Sequence, residues 1–378
     1  MSVSIFESQS AADLAAKLLN KKDDTGLALI FFGAEFDYKD LFGRLNGSGL
    51  PFIGCMDTGR LCNDRYDLTE GHATAMVLPR QMIEALEIFT YDMRPELGYT
   101  AIREASANLF RNALSKLNIN EKDPDLGRVF AINLVFGLMS ANPVLEGQNR
   151  VSLFFQTVGG SSGGKLDFKS APVISTRGMG PLGATAVVRL ARGYSYVTGL
   201  TSSFEKTEHK LKVTRLAGPR HILEFNGQPA AAEYARILGL NAGELSPNTY
   251  ATYTLGLDTG DGERLITSIQ QGDNQGGLLT YNDVNADITF TVYRATSQLE
   301  PRKSRLSELS SRKVAAFLSF DCVLCYLARN QQNEIQTIAD NYGAILPGVP
   351  KIGFGTFSEN YCGANVNQTE TFLAILEE

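Results

Sequence analysis

Histidine is scarce in this chain: His72, His209 and His221 are the only three among 378 residues. A hydrolytic nucleophile needs a base to orient it, and none of the three is well placed for that work. His209 lies in the polar stretch Glu205-Lys206-Thr207-Glu208-His209-Lys210, His72 enters a strand beside Gly71, and His221 alternates with Leu223 and Phe225 on an apolar strand face. No Gly-x-Ser-x-Gly nucleophile elbow occurs. The chain is therefore expected not to be an enzyme. A basic excess is lacking too: 35 Lys and Arg against 41 Asp and Glu leave a net charge of -6, which argues against nucleic acid as partner. The most basic stretch, Arg302, Lys303 and Arg305 with Arg312 and Lys313, reads as a solvated helix face. No apolar run reaches about 18 residues, so no membrane insertion is expected. Residues 1–14 have neither the positive start nor the apolar centre of a signal peptide. Five cysteines, an odd number, fit a reducing, cytoplasmic location better than a disulfide framework. Tryptophan is absent.

What is present is an apolar fraction of 43%, enough for a full core in roughly two domains. The informative feature is a weak internal repeat. Its first copy opens with Leu27 to Phe32, too short for a helix, followed by a short helix over Phe36 to Phe42. Pro51-Phe52-Ile53-Gly54 reads as a second strand entering the turn Cys55-Met56-Asp57-Thr58-Gly59, and Ala73 to Leu78 as a closing strand. The last copy has the same order: Val314 to Phe320, a helix carrying Leu324, Leu327, Ile335 and Ile338, then Pro350-Lys351-Ile352-Gly353. The turn from Phe354 to Glu359 follows, and Thr371 to Leu376 closes the copy. The middle copy runs from Val129 to Phe136 through the apolar run Val151 to Phe155, the turn Gly159-Gly160-Ser161-Ser162-Gly163-Gly164, and Ala184 to Val188. A long helix over Met93 to Leu117 links the first two copies.

Between the second and third copies, Leu211 to Arg215 and His221 to Phe225 read as hairpin strands around Gly218-Pro219. Pro229 starts a helix over Ala230 to Leu238 that Gly239 ends, and strands dominate from Gly256 to Arg294. The expected class is α/β to α+β, with mixed sheets and flanking helices built from strand-helix-strand-turn-strand units in two modules.

Two local motifs invite chemistry. Cys322-Val323-Leu324-Cys325 is a CxxC, but no second ligand pair exists, and a buried pair at a strand-to-helix junction is expected. The Gly159 to Gly164 run has the glycines of a phosphate cradle, yet Lys165 is followed by Leu166 rather than Ser or Thr. It reads as a tight turn at a pocket rim.

Taken in order, these segments resemble the FIST family, a paired N-terminal and C-terminal module. The N-terminal pattern is carried by Phe31-Phe32, Pro51-Phe52-Ile53-Gly54-Cys55, Gly59 and Gly159-Gly160-Ser161-Ser162-Gly163. The C-terminal pattern is carried by Asn226-Gly227-Gln228-Pro229-Ala230, Phe320-Asp321-Cys322, Ile352-Gly353-Phe354-Gly355-Thr356-Phe357-Ser358-Glu359 and Asn367-Gln368-Thr369. Three positions depart from it: Arg60 where family turns often carry Glu, Asn365 where many members carry His, and Ser140-Ala141-Asn142-Pro143 in place of an acidic start. The modules implied are residues 1–218 and 219–378.

The resemblance implies a cytoplasmic sensor that binds a small ligand, an amino acid among the candidates. Such a sensor regulates a separate signalling protein such as the histidine kinase of a two-component system. A pocket between the halves, walled by the three glycine turns, would use Gly54, Cys55, Thr58, Gly160, Ser161, Ser162, Asp321, Gly355, Thr356, Glu359 and Asn367. No cofactor is expected on this reading. The alternatives implied are a haem-based nitric oxide sensor, with His221 or His72 as axial ligand, and a protein-recruitment scaffold.

Overall fold

The computed structural model describes residues 2–122, 125–153, 155–258 and 264–378. The chain is mixed α/β and divides into two compact units, Met1–Thr201 with Arg302–Asn365 and Glu370–Glu378, and Ser202–Pro301 with Val366–Thr369.

Three copies of one motif build the first unit. The first copy runs β1 (Ser4–Ser8), α1 (Ala11–Leu19), β2 (Thr25–Phe32), α2 (Tyr38–Leu45) and β3 (Phe52–Met56). A hairpin of β4 (Arg60–Cys62) and β5 (Arg65–Asp67) follows, and β6 (Ala73–Pro79) closes it. The second copy repeats this as β7 (Ile83–Asp92), α3 (Gly98–Lys116), β8 (Val129–Val135), α4 (Asn142–Val151) and β9 (Thr157–Ser161). Its hairpin is β10 (Val173–Ser175) and β11 (Gly178–Gly180), and its closing strand is β12 (Leu182–Leu190). The third copy opens with β13 (Tyr194–Ser202).

The second unit comes next in the chain. Its strands are β14 (Phe204–Gly218), β15 (His221–Phe225), β16 (Gln228–Pro229), β17 (Tyr253–Asp258), β18 (Arg264–Thr267), β19 (Ile269–Gly272), β20 (Leu278–Thr280) and β21 (Thr289–Ala295), with helices α5 (Ala230–Ile237) and α6 (Pro247–Thr252). They form one antiparallel sheet ordered β18-β17-β21-β14-β15-β20-β19, with β16 against β15. The third copy then resumes as α7 (Leu299–Ser307), β22 (Val314–Cys322), α8 (Val323–Gln332), α9 (Ile335–Ile345) and β23 (Lys351–Thr356). The β24 (Ser358–Tyr361) and β25 (Ala364–Val366) hairpin and β26 (Thr369–Glu377) complete it.

The three sheets of the first unit have equivalent strand orders: β1-β6-β2-β3-β10-β11, β7-β12-β8-β9-β24-β25 and β13-β26-β22-β23-β4-β5. Each sheet takes its last two strands from another copy, so the hairpins are exchanged around a closed cycle. Register confirms the repeat: Ile30 faces Gly54, Asn133 faces Gly159 and Ser319 faces Gly353 across parallel pairs. The segments around Gly54 and Gly353 thus share one strand–turn–strand geometry, as their sequences lead one to expect.

Burial on both faces explains why β2 is a continuous apolar run. Leu27, Leu29 and Phe31 face a core shared by all three sheets, whereas Ala28, Ile30 and Phe32 lie under α1 and α2. In the shared core, Phe31 packs on Phe354 at 4.6 Å between ring centroids and Phe320 packs on Phe354 at 5.7 Å.

Several local expectations shift. The apolar run Val151 to Phe155 is not a strand: Val151 ends α4, and the second strand begins at Thr157. Pro143 in the first turn starts that helix, which buries Val144, Leu145 and Val151; Phe154 lies outside the described residues. The linking helix starts at Gly98, because β7 extends to Asp92 and a short 3-10 turn over Pro95–Leu97 intervenes. The helix expected across Leu324 to Ile338 is two helices, broken at Asn333, whose backbone is left-handed at φ 56°. Pro229 caps α5 from just outside it. Arg302, expected on a solvated face, is only 2% exposed.

A closed ring of turns and the cleft beside it

Each second strand leads into its glycine turn, and the three turns hydrogen-bond to one another in a cycle. Thr58 N donates to Gly355 O (3.3 Å), Phe357 N to Ser161 O (3.1 Å), and Gly163 N to Met56 O (2.8 Å). In each case the residue four beyond the strand glycine donates to the residue two beyond the glycine of a neighbouring copy. The turns predicted to converge do so, and at the point of convergence they fill the space with backbone. A Cβ at Gly163 would stand 2.6 Å from Gly355 O and 2.7 Å from Thr58 N, which forces glycine there.

Most of the predicted site residues build this closure. Cys55 is fully buried in the shared core, and burial pushes its thiol well above the usual range. Gly54 pairs across to Ile30 and Ile174. Gly160 packs against Thr356, and Ser161 Oγ meets Ser358 Oγ at 2.9 Å. Ser162 Oγ accepts from Gly137 N at 2.9 Å and donates to Ala171 O. Thr356 donates to Glu359, and both are fully buried. Asn367 belongs to the second unit, where its Oδ1 accepts from Ser268 N at 3.5 Å.

Asp321 anchors a buried charge network on the outer face of β22. Arg302 Nη2 donates to Asp321 Oδ1 at 2.7 Å, and Arg302 Nη1 lies 2.6 Å from Glu370 Oε2. Arg329 from α8 donates to the other Asp321 oxygen and, at 3.0 Å, to the Tyr66 hydroxyl. Ser319 and Tyr342 donate to Glu370. Two arginines and two carboxylates balance, which is the condition for burying them. Burial pushes the Tyr66 phenol up to about 12. The CxxC thiols beside the network are both buried.

Beside the ring lies a cleft of about 190 Å³. It is lined by the first turn, Asp57 to Arg60, by Gly33 and Ala34, by the segment Gly164 to Leu166, and by α8 residues Val323, Tyr326, Leu327 and Asn330. Asp57 is buried and accepts from Gly59 N (2.8 Å) and Arg60 Nε (2.9 Å). Arg60 also reaches Asp67 Oδ2 at 2.9 Å and the Thr69 carbonyl at 3.0 Å. Burial opposes the Arg60 charge, but Asp57 and Asp67 more than offset it and hold its pKa above the ordinary value. The departure from the family turn at Arg60 is thus answered by two carboxylates.

Two hydroxyls in this cleft, Thr58 Oγ1 and Tyr326 Oη, are buried and have no hydrogen-bond partner among the described residues. At the rim, Lys165 Nζ bridges Glu70 and Glu35, each at 2.9 Å. Leu68, Leu166 and Leu327 are 49%, 49% and 40% exposed, an unusual concentration of apolar surface around one opening. Of the predicted residues only Thr58 lines the cleft. Tyr326, Leu68 and Lys165 were missed, because they come from different copies and only the topology brings them together.

The two imidazoles proposed for haem are already engaged. His72 Nδ1 lies 3.0 Å from Asp67 Oδ2 and its Nε2 lies 2.5 Å from Gln9 Nε2. In the second unit, His221 Nε2 lies 2.6 Å from Asp273 Oδ2 and packs against Gly277. Neither lines the cleft. Among the described residues no group of three or more His, Cys, Asp or Glu side chains is placed to hold a metal ion. Among them, too, no helix is long and apolar enough to cross a membrane.

Comparison with known proteins bears on the family. No curated protein matches the chain. Among solved structures, a cyanuric acid hydrolase from A. caulinodans is 8% identical, with 100% of this chain and 99% of that one covered and a TM-score of 0.45. Phosphoribosylformylglycinamidine synthase II from Thermotoga maritima is 10% identical, covering 99% and 72%, with a TM-score of 0.18. Likenesses this weak carry no inference about activity. The FIST N domain pattern matches residues 26–228 and the FIST C domain pattern matches residues 230–362, domains associated with sensory signal transduction. With both patterns found in order along most of its length, the chain belongs to the FIST family.

Proposed function

We propose that this protein is a binding module whose cleft beside the turn ring takes a small ligand of the amino-acid class, and that occupancy is read by a separate signalling protein such as a histidine kinase. The observation that carries this reading is the order of polarity through the cleft. A paired ammonium and carboxylate, Lys165 and Glu70, stand at the rim. Leu68, Leu166 and Leu327 stand beside the pair at the opening, and buried hydroxyls without partners among the described residues lie at the base. The rim pair complements a zwitterion: Lys165 faces a carboxylate and Glu70 an ammonium group. Apolar walls with a few convergent polar groups are the usual character of a ligand pocket.

Binding rather than catalysis fits the lining, because no histidine, cysteine or serine stands among the residues around the cleft. The reading is tested by thermal denaturation across a panel of L-amino acids. A ligand at 100 times its dissociation constant stabilises by about 2.7 kcal/mol, and Leu166→Arg should abolish the shift without lowering the melting temperature of the free protein. A panel without any shift would overturn the reading.

A further inference from the structure

Resting on the amino-acid reading of the cleft, we infer that the site selects side chains ending in an uncharged hydrogen-bonding group, an amide or a hydroxyl. The argument is one of polar satisfaction at the base. Every charge there is already used within the protein. Asp57 accepts from Gly59 N and from two nitrogens of Arg60. Arg60 is spent on Asp57, Asp67 and the Thr69 carbonyl. A carboxylate entering the base finds no free cation, and an ammonium finds no free carboxylate. Either would be buried without compensation, which costs far more than leaving it in water.

The groups that remain are the Thr58 and Tyr326 hydroxyls, both buried and without a partner among the described residues. Their side chains pack over Gly355. A Cβ there would lie 2.4 Å from Thr58 Oγ1 and 3.3 Å from Tyr326 Cε2, so the absence of a side chain at 355 leaves room for both. Each hydroxyl donates one hydrogen bond and accepts others. Together they match an amide, with Tyr326 donating to its carbonyl oxygen and Thr58 accepting from its NH₂. A purely aliphatic side chain leaves both hydroxyls unmet, which a site built around hydrogen bonds discriminates against.

The experiment is isothermal titration of the full chain with L-glutamine, L-glutamate and L-norleucine. These share the zwitterionic head and have similar length but differ at the tip. Glutamine is expected to bind at least about tenfold more tightly than either of the others. Tyr326→Phe and Thr58→Val should each reduce that preference, by weakening glutamine binding. Equal or tighter binding of glutamate or norleucine would overturn this selectivity while leaving the amino-acid reading intact. Failure of all three to bind would overturn both. A glutamine preference that survives in Tyr326→Phe and in Thr58→Val would show that other atoms make the choice, and would also sink the inference.

Discussion

Arg60 and Glu359 occupy the same place in two of the three turns with opposite charge. Each lies six residues beyond its strand glycine, Gly54 or Gly353, and each pairs with the residue three before it. Arg60 is held by Asp57 at 2.9 Å, and Glu359 accepts from Thr356. The third equivalent, Lys165, follows Ser162 and turns outward to Glu70. One backbone geometry thus carries three different polar solutions, and of the three side chains Arg60 and Lys165 border the cleft.

Replacing Arg60 should be costly. Arg60→Met leaves Asp57 and Asp67 buried without their cation, a loss of about 3–5 kcal/mol. The double variant Asp57→Asn/Arg60→Met should recover part of it. Urea denaturation of both variants and the parent measures the difference, and equal stability of the single and double variants would contradict the coupling.

Acid stability should depend on Asp67. Burial alone would raise its pKa, but hydrogen bonds from Thr69 and the charge of Arg60 outweigh burial and lower it from 3.8 to about 2. A folded-state pKa below the unfolded value stabilises fully above the unfolded value and is lost as pH falls through the folded one. The contribution therefore disappears between about pH 4 and pH 2. Melting temperatures over that range should fall more steeply for the parent than for Asp67→Asn.

The ring of turns should tolerate a methyl group unequally. Gly163→Ala meets backbone atoms at 2.6 and 2.7 Å, and cannot fit without opening the Thr58 to Gly355 hydrogen bond. Its cost should lie at the upper end of the roughly 1–3 kcal/mol range for overpacking. Gly355→Ala first meets the Thr58 side-chain hydroxyl at 2.4 Å, which can rotate away, so stability should suffer less and glutamine binding more. Calorimetric unfolding and titration of the two variants separate these effects.

Severing the chain after residue 218 should abolish cooperative folding of the N-terminal piece. That piece retains β4 and β5 but loses β23, their partner, and it retains β9 but loses β24. Unpaired strand edges of this kind favour association over folding. Circular dichroism melting of residues 1–218 should show no sharp transition, and adding residues 219–378 should restore one.

The repeat was legible because its strands are buried on both faces, so Leu27 to Phe32 and Val314 to Phe320 stand out as apolar runs in the sequence. The shared Pro-x-Ile-Gly fixed the register correctly at Gly54 and Gly353. The hairpin exchange was not legible: β4 and β5 are three residues each, too short to display a period of two. Asp321 was singled out as a ligand contact, yet its partners Arg302 and Arg329 lie 19 and 8 residues away. Neither spacing is one that sequence periodicity marks. The cleft was legible only at Thr58, since Tyr326 and Lys165 gain their meaning from strands that other copies supply.

The exchanged hairpins also bear on how such a chain assembles. If the links between copies were removed, each copy would donate its hairpin to one neighbour and receive another from the next. Three identical chains following that rule would close on themselves as a rotationally symmetric trimer, every edge being met by the adjoining subunit. A single polypeptide that traces all three positions frees each from the requirement to be identical. Only under that freedom can one turn carry Arg60, another Lys165 and the last Glu359.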